Sequence, residues 1–371
     1  MQLIDYMEKD MDFQELNRQI KPPDRAVAQL CRTRWNAIAK PVGSLGLLEE
    51  AVIKIAALTG DALPDIRRRA VLVLCADNGV VAEGVTQTGS EITALVAENI
   101  ANGHACIRYM AKRADMEVFA VDMGMNRPSD CKGILDYAVS RGTKNLAKEA
   151  AMTAQEAERA IRRGMELVRR CQQQGYRLLA TGEMGIGNTT TASAVSAVLL
   201  GKTVTKVTGR GAGLSDQAMR KKIRVIQSAV RLHAPDASDP FDVLQKLGGL
   251  DIAGLTGVFL GGALYRVPVL IDGFISATAA LLAARLCPCS VQAMIATHVS
   301  SEPAAAMLLA ALGLEPMITA GLHLGEGTGA VCAVPMLDMA LEVYKNMATF
   351  EQIGMAAYEA PAETIDGIVT V

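Results

Sequence analysis

The chain has 371 residues, half of them hydrophobic, and a formal net charge of −2. That length supports one large core with a smaller attached unit, and the near-balanced charge offers a polyanion little to bind. Aromatic residues make up only 4%, too few to stack bases along an open groove, so nucleic-acid binding is not expected.

The opening stretch MQLIDYMEKDMDFQELNRQIKPPDR carries acids throughout and no apolar block, unlike a signal peptide. Up to about Glu50 the chain reads as helices broken at KPPD and KPVGSLG. Five short apolar runs follow, each with polar or glycine residues at its C-terminal end: AVLVLCADNG, MEVFAVDMGMN, YRLLATGEMGIGN, VPVLIDGF and VQAMIATHVSS. Between them lie helical patterns such as Thr153–Gln174 and Ser215–Leu232. Alternating strand and helix predicts a parallel α/β sheet covered on both faces, with ligands outside the carboxyl ends of its strands. The most apolar stretch, LGGLDIAGLTGVFLGGALYRVPVLIDGF, is interrupted by Asp251, Arg266 and seven glycines. It reads as a core helix and strand, and no membrane span is expected. The final AVPMLDMALEVYKNMATFEQIGMAAYE predicts a long helix and a short one.

Eight cysteines are scattered from Cys31 to Cys332 without a CxxC pair, and the four histidines are dispersed. Reduced thiols, a cytoplasmic location and no metal site are the expectations.

Two glycine-rich turns are candidates for a phosphate. TGEMGIGNTTTASAV follows a strand and opens a helix; Gly185 and Gly187 allow close approach, and Asn188 or Thr189 can cap the helix. A tight turn with a cap reads equally well, and the GK[ST] ending of a P-loop is missing. In TGRGAGLSDQAMRKKI, Ser215 or Asp216 caps the next helix. Lys221 or Lys222 can fold over a phosphate or line a solvated face. Asp77, after the first strand, reads better as a loop-fixing residue than as a catalyst. Ser300 and Ser301 suit a phosphate or a cap, and His298 and His323 suit packing. Glu326 stands between glycines in LHLGEGTGA. A carboxylate there is a general acid or base with a raised pKa, or else a cap for the following helix; access through flanking glycines favours catalysis.

In order and spacing, KPVGSLG, DNGVVAEGV, GEMGIGNTT, GRGAG, HVSSEP and LGEGTGA resemble the nicotinate-nucleotide:dimethylbenzimidazole phosphoribosyltransferase (CobT) family, over about Lys40 to Met355. The resemblance implies a Rossmann-like domain with a small helical domain built from both termini, and a homodimer. Residues 1–55 and 336–371 would form the small domain, and residues 56–335 the catalytic one. It implies transfer of phosphoribose from nicotinate mononucleotide to a base such as 5,6-dimethylbenzimidazole, giving α-ribazole 5′-phosphate and nicotinate in cobalamin nucleotide-loop assembly. By the match, Glu326 is the general base and Glu183 a supporting acid. Gly185, Gly211, Lys222, Ser300 and Ser301 hold the donor, and Leu324 flanks the base. Neither a metal nor another cofactor is implied, because the pyridinium leaving group is already cationic.

The chain departs from the family pattern on the acceptor side. Asn78 replaces a usual histidine, Ser90 replaces a glutamine near the acceptor, and Val42 replaces a proline. The same chemistry on a purine or phenolic acceptor is therefore an alternative. So are a non-catalytic riboside-binding partner subunit and an unrelated phosphosugar enzyme.

Overall fold

A computed structural model of the chain describes residues 11–358. Two compact units emerge. One holds Asp65–Val334 with the described residues up to Pro22; the other holds Pro23–Pro64 with the described residues from Pro335.

The large unit is built on one six-stranded sheet: β1 (Arg69–Ala76), β2 (Glu117–Gly124), β3 (Ile134–Asp136), β4 (Leu178–Met184), β5 (Val269–Ile271) and β6 (Met294–Ala296). All neighbouring pairs are parallel, in the order β3-β2-β1-β4-β5-β6. The chain winds outward from β1 to β3, then returns to place β4 on the other side of β1. Loops leaving β1 and β4 therefore diverge to opposite faces and leave a crevice at the C-terminal edge. Every residue of β1 is buried, as a central strand covered on both faces requires. The five expected strands are β1, β2, β4, β5 and β6. The three-residue edge strand β3 pairs Ala120 with Ile134 and is an addition to the sequence reading.

The helix Leu250–Leu264 is buried at every position but its last. It lies against the helix Ala154–Gln173 so closely that side chains are excluded from the contact. A Cβ at Gly261 would stand 3.1 Å from Met165 Cα, and one at Gly164 or Gly257 would overlap the opposing carbonyl oxygen, Gly254 O or Ile161 O. The second helix is fixed at its start by a capping box, in which Thr153 and Glu156 each satisfy the other's backbone. No helix among the described residues is long and apolar enough to cross a membrane.

Helix Phe13–Gln19 belongs to the large unit rather than to the small domain in which the sequence reading put it. Cys287 Sγ donates to Phe13 O at 3.2 Å, and Cys289 N to Asn17 Oδ1 at 3.0 Å. The expected boundary at residue 55 falls inside helix Leu47–Thr59, which packs on helix Arg25–Ala37 within the small unit. In that unit Trp35 and Tyr344 pack with their rings tilted by 46° and centroids 4.9 Å apart. The Lys40 of KPVGSLG is buried in an ion pair with Glu49 at 2.6 Å, so this motif locks the small unit together.

Candidate active site

Three consecutive residues, Gly325, Glu326 and Gly327, have φ of +91°, +59° and +89°. Glycine adopts this left-handed backbone freely, whereas a glutamate there is strained. The flanking glycines are thus required by the turn itself, and they also clear space for neighbours. A Cβ on Gly325 would stand 2.6 Å from Glu183 Oε1, and one on Gly327 2.6 Å from Val71 Cγ1. The Glu326 carboxylate, half-buried, reaches the start of helix Cys106–Arg113, where Ile107 N donates to Oε2 at 3.4 Å. Burial raises its pKa and the nearby charge of Asp272 raises it further, against the lowering effect of the Ile107 N–H. Asp272 itself caps the helix Thr328–Asn346, a role the sequence offered to Glu326 as the alternative. Its Oδ2 accepts from Gly327 N at 3.2 Å and its Oδ1 from Ala330 N at 2.9 Å.

Glu183 lies at the end of β4, across Gly325 from this loop. Burial and the Asp251 charge push its pKa up to about 8. Burial likewise pushes Asp251 up to about 6. Asn188 sits between the two acids, its Nδ2 bonding Glu183 Oε2 and, at 3.1 Å, Asp251 Oδ2. The helix Asn188–Leu199 is consequently capped by Gly187, at φ +93°, and not by Asn188 or Thr189 as the sequence suggested. Gly185 serves contact: a Cβ there would stand 3.0 Å from Asp251 Oδ2 and closer still to Ala76 O. Asp77 is buried and fixes its surroundings across elements, accepting from Asn126 N at 2.7 Å.

The second glycine turn forms one wall of a cavity of about 910 Å³. Gly209–Gly213 face Ser301–Pro303 and Gly321–Leu324 across it, so Gly211, Ser301 and the exposed Leu324 meet here. Lys222 lies behind this wall and is 1% exposed. Its Nζ donates to Thr189 Oγ1 at 2.8 Å and to Gly209 O at 3.2 Å, and burial pushes its pKa down to about 8. The solvated-face reading holds for exposed Lys221 but not for Lys222. Glu302 Oε1 accepts from Gly211 N at 3.0 Å. Ser300 is buried, and its Oγ accepts from Glu302 N at 3.4 Å. Ser215 caps the helix Asp216–His233. Ser90 stands at the start of helix Glu91–Ala101 without a side-chain cap bond. Its loop is tied to the glycine turn by Gln87 Nε2, which donates to Ala212 O at 3.0 Å. Among the described residues no group of three or more His, Cys, Asp or Glu is placed to hold a metal ion.

This arrangement puts a strained acid and a second acid at the C-terminal edge of a doubly wound sheet, with a glycine-walled cavity in the same group of loops. A family model described as "Phosphoribosyltransferase" matches residues 20–355. The chain belongs to that family. It is 45% identical over 330 residues to the nicotinate-nucleotide–dimethylbenzimidazole phosphoribosyltransferase of Acetivibrio thermocellus, covering 89% of this chain and 94% of the relative. With the enzyme of the same name from Ruminiclostridium cellulolyticum it shares 41% over 349 residues, 94% and 99% of the two chains. The crystal structure of CobT from Thermus thermophilus superposes with a TM-score of 0.84 at 40% identity, covering 89% of this chain and 99% of that one.

The family motifs thus fold into two adjoining groups. Glu183 closes on Gly325, the residue before Glu326, and Gly185 packs against Ala76 and Asp251; Gly211, Ser301 and Leu324 share the cavity, with Lys222 and Ser300 behind its wall. Ser90 is joined to them only through its loop and the Gln87 bond. Three residues were not singled out as site residues from the sequence: Asp251, Asp272 and Glu302. Asp272 directly follows β5, where strand-end polar residues face a site in this topology, so a signal for it existed.

Proposed function

We propose that this chain transfers phosphoribose from nicotinate mononucleotide to a lower-ligand base such as 5,6-dimethylbenzimidazole, yielding α-ribazole 5′-phosphate and nicotinate for cobalamin nucleotide-loop assembly. The observation that carries this reading is the close approach of Glu183 to the Glu326 turn at Gly325, on a chain of the phosphoribosyltransferase family. The acceptor nitrogen's lone pair forms the new bond at C1′ while the bond to the pyridinium nitrogen breaks. Its electrons neutralise the leaving nicotinate ring, and attack from the opposite face inverts the anomeric carbon. The acceptor's second N–H becomes acidic as the bond forms, and Glu326 takes that proton. Raising the pKa of Glu326 by burial makes it a stronger base. Glu183, pushed up to about 8, holds its own proton at neutral pH and so acts as a donor that orients the ring rather than as a rival base.

In this reading the Gly209–Gly213 turn and Ser301 receive the donor's phosphoribosyl group, and Lys222 and Ser300 shape that wall from behind. Gly185 lets β4 close against β1. Leu324 offers its apolar surface to the flat acceptor, and Ser90 stands on the acceptor side. The chain works as a cytoplasmic homodimer, as the family resemblance implies; sedimentation at micromolar concentration tests the dimer.

Nicotinate release from nicotinate mononucleotide, dependent on added base, is the expected activity of the purified chain. Glu326→Gln keeps the shape and removes the base, so kcat should fall by about 10² or more with donor binding little changed. A variant as fast as the wild type would remove Glu326 from the chemistry.

A further inference from the structure

We infer that Asp272, backed by His298, is the positioning residue that holds Glu326 in its reactive place, an inference that rests on the function proposed above. The backbone at Glu326 is strained, and three consecutive left-handed residues do not hold themselves. Asp272 grips this turn from the neighbouring strand. One carboxylate oxygen takes the N–H of Gly327, the residue immediately after Glu326, and the other takes that of Ala330. Asp272 is itself fixed, 3% exposed, with its own N–H shared between Thr181 Oγ1 and Ser276 Oγ at 3.2 Å each. His298, at the end of β6 and 4% exposed, closes the other side. Its ring fills the space where a Gly329 side chain would go, and its Nε2 stands 3.7 Å from the Cβ position of Gly273. On β4, Gly182 admits the Glu326 carbonyl, which would stand 2.6 Å from a Cβ there. Three strand ends thus converge on one turn. The Glu326 side chain, by contrast, has among the described residues only the long Ile107 N–H contact. Position is imposed through the backbone: Thr328 N and Oγ1 close the turn on Gly325 O at 3.0 and 2.8 Å, and Asp272 supplies the two bonds that tie the turn to the end of β5.

An ordinary helix cap would contribute stability alone. A positioning residue also governs turnover and the basicity of the group it places. The charged and titratable neighbours here are few: Asp272, Glu183 and the Ile107 N–H face Glu326, while His298, Glu183 and Cys332 face Asp272.

Asp272→Asn removes the charge and one of the two acceptors. Its kcat should fall at least about tenfold while KM for nicotinate mononucleotide stays within about threefold, the pattern of an interaction made mainly in the transition state. The acid limb of kcat/KM should also move to lower pH, since loss of the Asp272 charge lowers the Glu326 pKa. A residue that only stabilises the fold would reduce the active fraction and leave the turnover of the folded enzyme unchanged. Should Asp272→Asn not bind the donor, Asp272→Glu decides: it keeps the charge but moves it by one methylene, and the same kcat loss with KM retained is expected. Turnover by Asp272→Asn or, in that case, Asp272→Glu at the wild-type rate, or parallel losses in kcat and donor affinity, would overturn the inference while leaving the proposed function standing. Absence of turnover in the wild type would remove the proposed function and this inference with it.

Discussion

Lys222 donates to Thr189 Oγ1 at 2.8 Å from a fully buried position, joining the helix after β4 to the helix after the second glycine turn. Its other bond, to Gly209 O at 3.2 Å, reaches the turn that lines the cavity. Replacing Lys222 with Met should therefore act on the cavity wall. Nicotinate mononucleotide should lose affinity more than its riboside, which lacks the phosphate, because the turn that Lys222 holds from behind receives that phosphate. Equal losses for both donors would mean that the turn Lys222 holds does not receive the phosphate. The pH dependence has a definite sign. The folded-state pKa of about 8 lies below the ordinary 10.5, so the unfolded chain binds more protons between those values and this group makes stability rise with pH there. Lys54, also pushed down to about 8 by burial, adds the same slope; the Lys222→Met variant should lose only part of it.

Glu183 gives the opposite sign. Its folded pKa of about 8 stands above the ordinary 4.5, so the folded chain keeps a proton that the unfolded chain releases. The contribution is complete below pH 4.5 and lost as pH rises to about 8. Glu183→Gln is neutral throughout. Its melting temperature relative to the wild type should climb between about pH 5 and about pH 8. A constant difference would mean that Glu183 is already ionised in the folded protein at the acid end of that range. The effect of Glu183→Gln on kcat should be smaller than that of Glu326→Gln.

Gly325→Ala tests the close approach of Glu183 to the Glu326 turn. Its φ of +91° is strained for alanine, and the new methyl would stand 2.6 Å from Glu183 Oε1. Strain of about 1–3 kcal/mol is expected in denaturant unfolding. A fall in kcat should accompany it, as Glu183 is pushed off the acceptor. Wild-type turnover in this variant would show that the two acids need not adjoin.

Acceptor choice should be broad. Ser90 is short, its side chain caps nothing, and Leu324 is 60% exposed. An apolar slot of this kind discriminates by only about 1–3 kcal/mol per methylene. Benzimidazole and its methylated forms should react at rates within about tenfold of one another in direct competition. A preference above about a hundredfold for dimethylbenzimidazole would require a fitted pocket; a preference for p-cresol would move the chain to phenolic acceptors.

Much of this was legible in the sequence because it is local. Strand ends announced themselves by apolar runs stopping at polar residues, and the left-handed turn by the glycines around Glu326. Lys222 stood open between a phosphate and a solvated face, although its spacing with the buried Ile226 and Ala229 is that of one helical face. What escaped depends on partners far along the chain. Asn188 looks like a cap until Glu183 and Asp251 claim its amide. Asp272 looks like a strand end until Gly327 and Ala330 arrive 55 and 58 residues later. The strand Ile134–Asp136 is too short to carry a period and exists because β2 offers it a partner.

The glycine contact between helices Ala154–Gln173 and Leu250–Leu264 acts as a fixed stop for the second helix along its own axis. Asp251 stands at the leading end of that rod, six residues or about 9 Å ahead of Gly257. A methyl added at Gly257 would meet the backbone of Ile161, and a close-packed interior cannot absorb the excess locally. The displacement would travel forward into the Asp251–Asn188–Glu183 chain. The geometry of this site therefore depends on a feature with no side chain at all, and a lesion there would reach the acids without touching them.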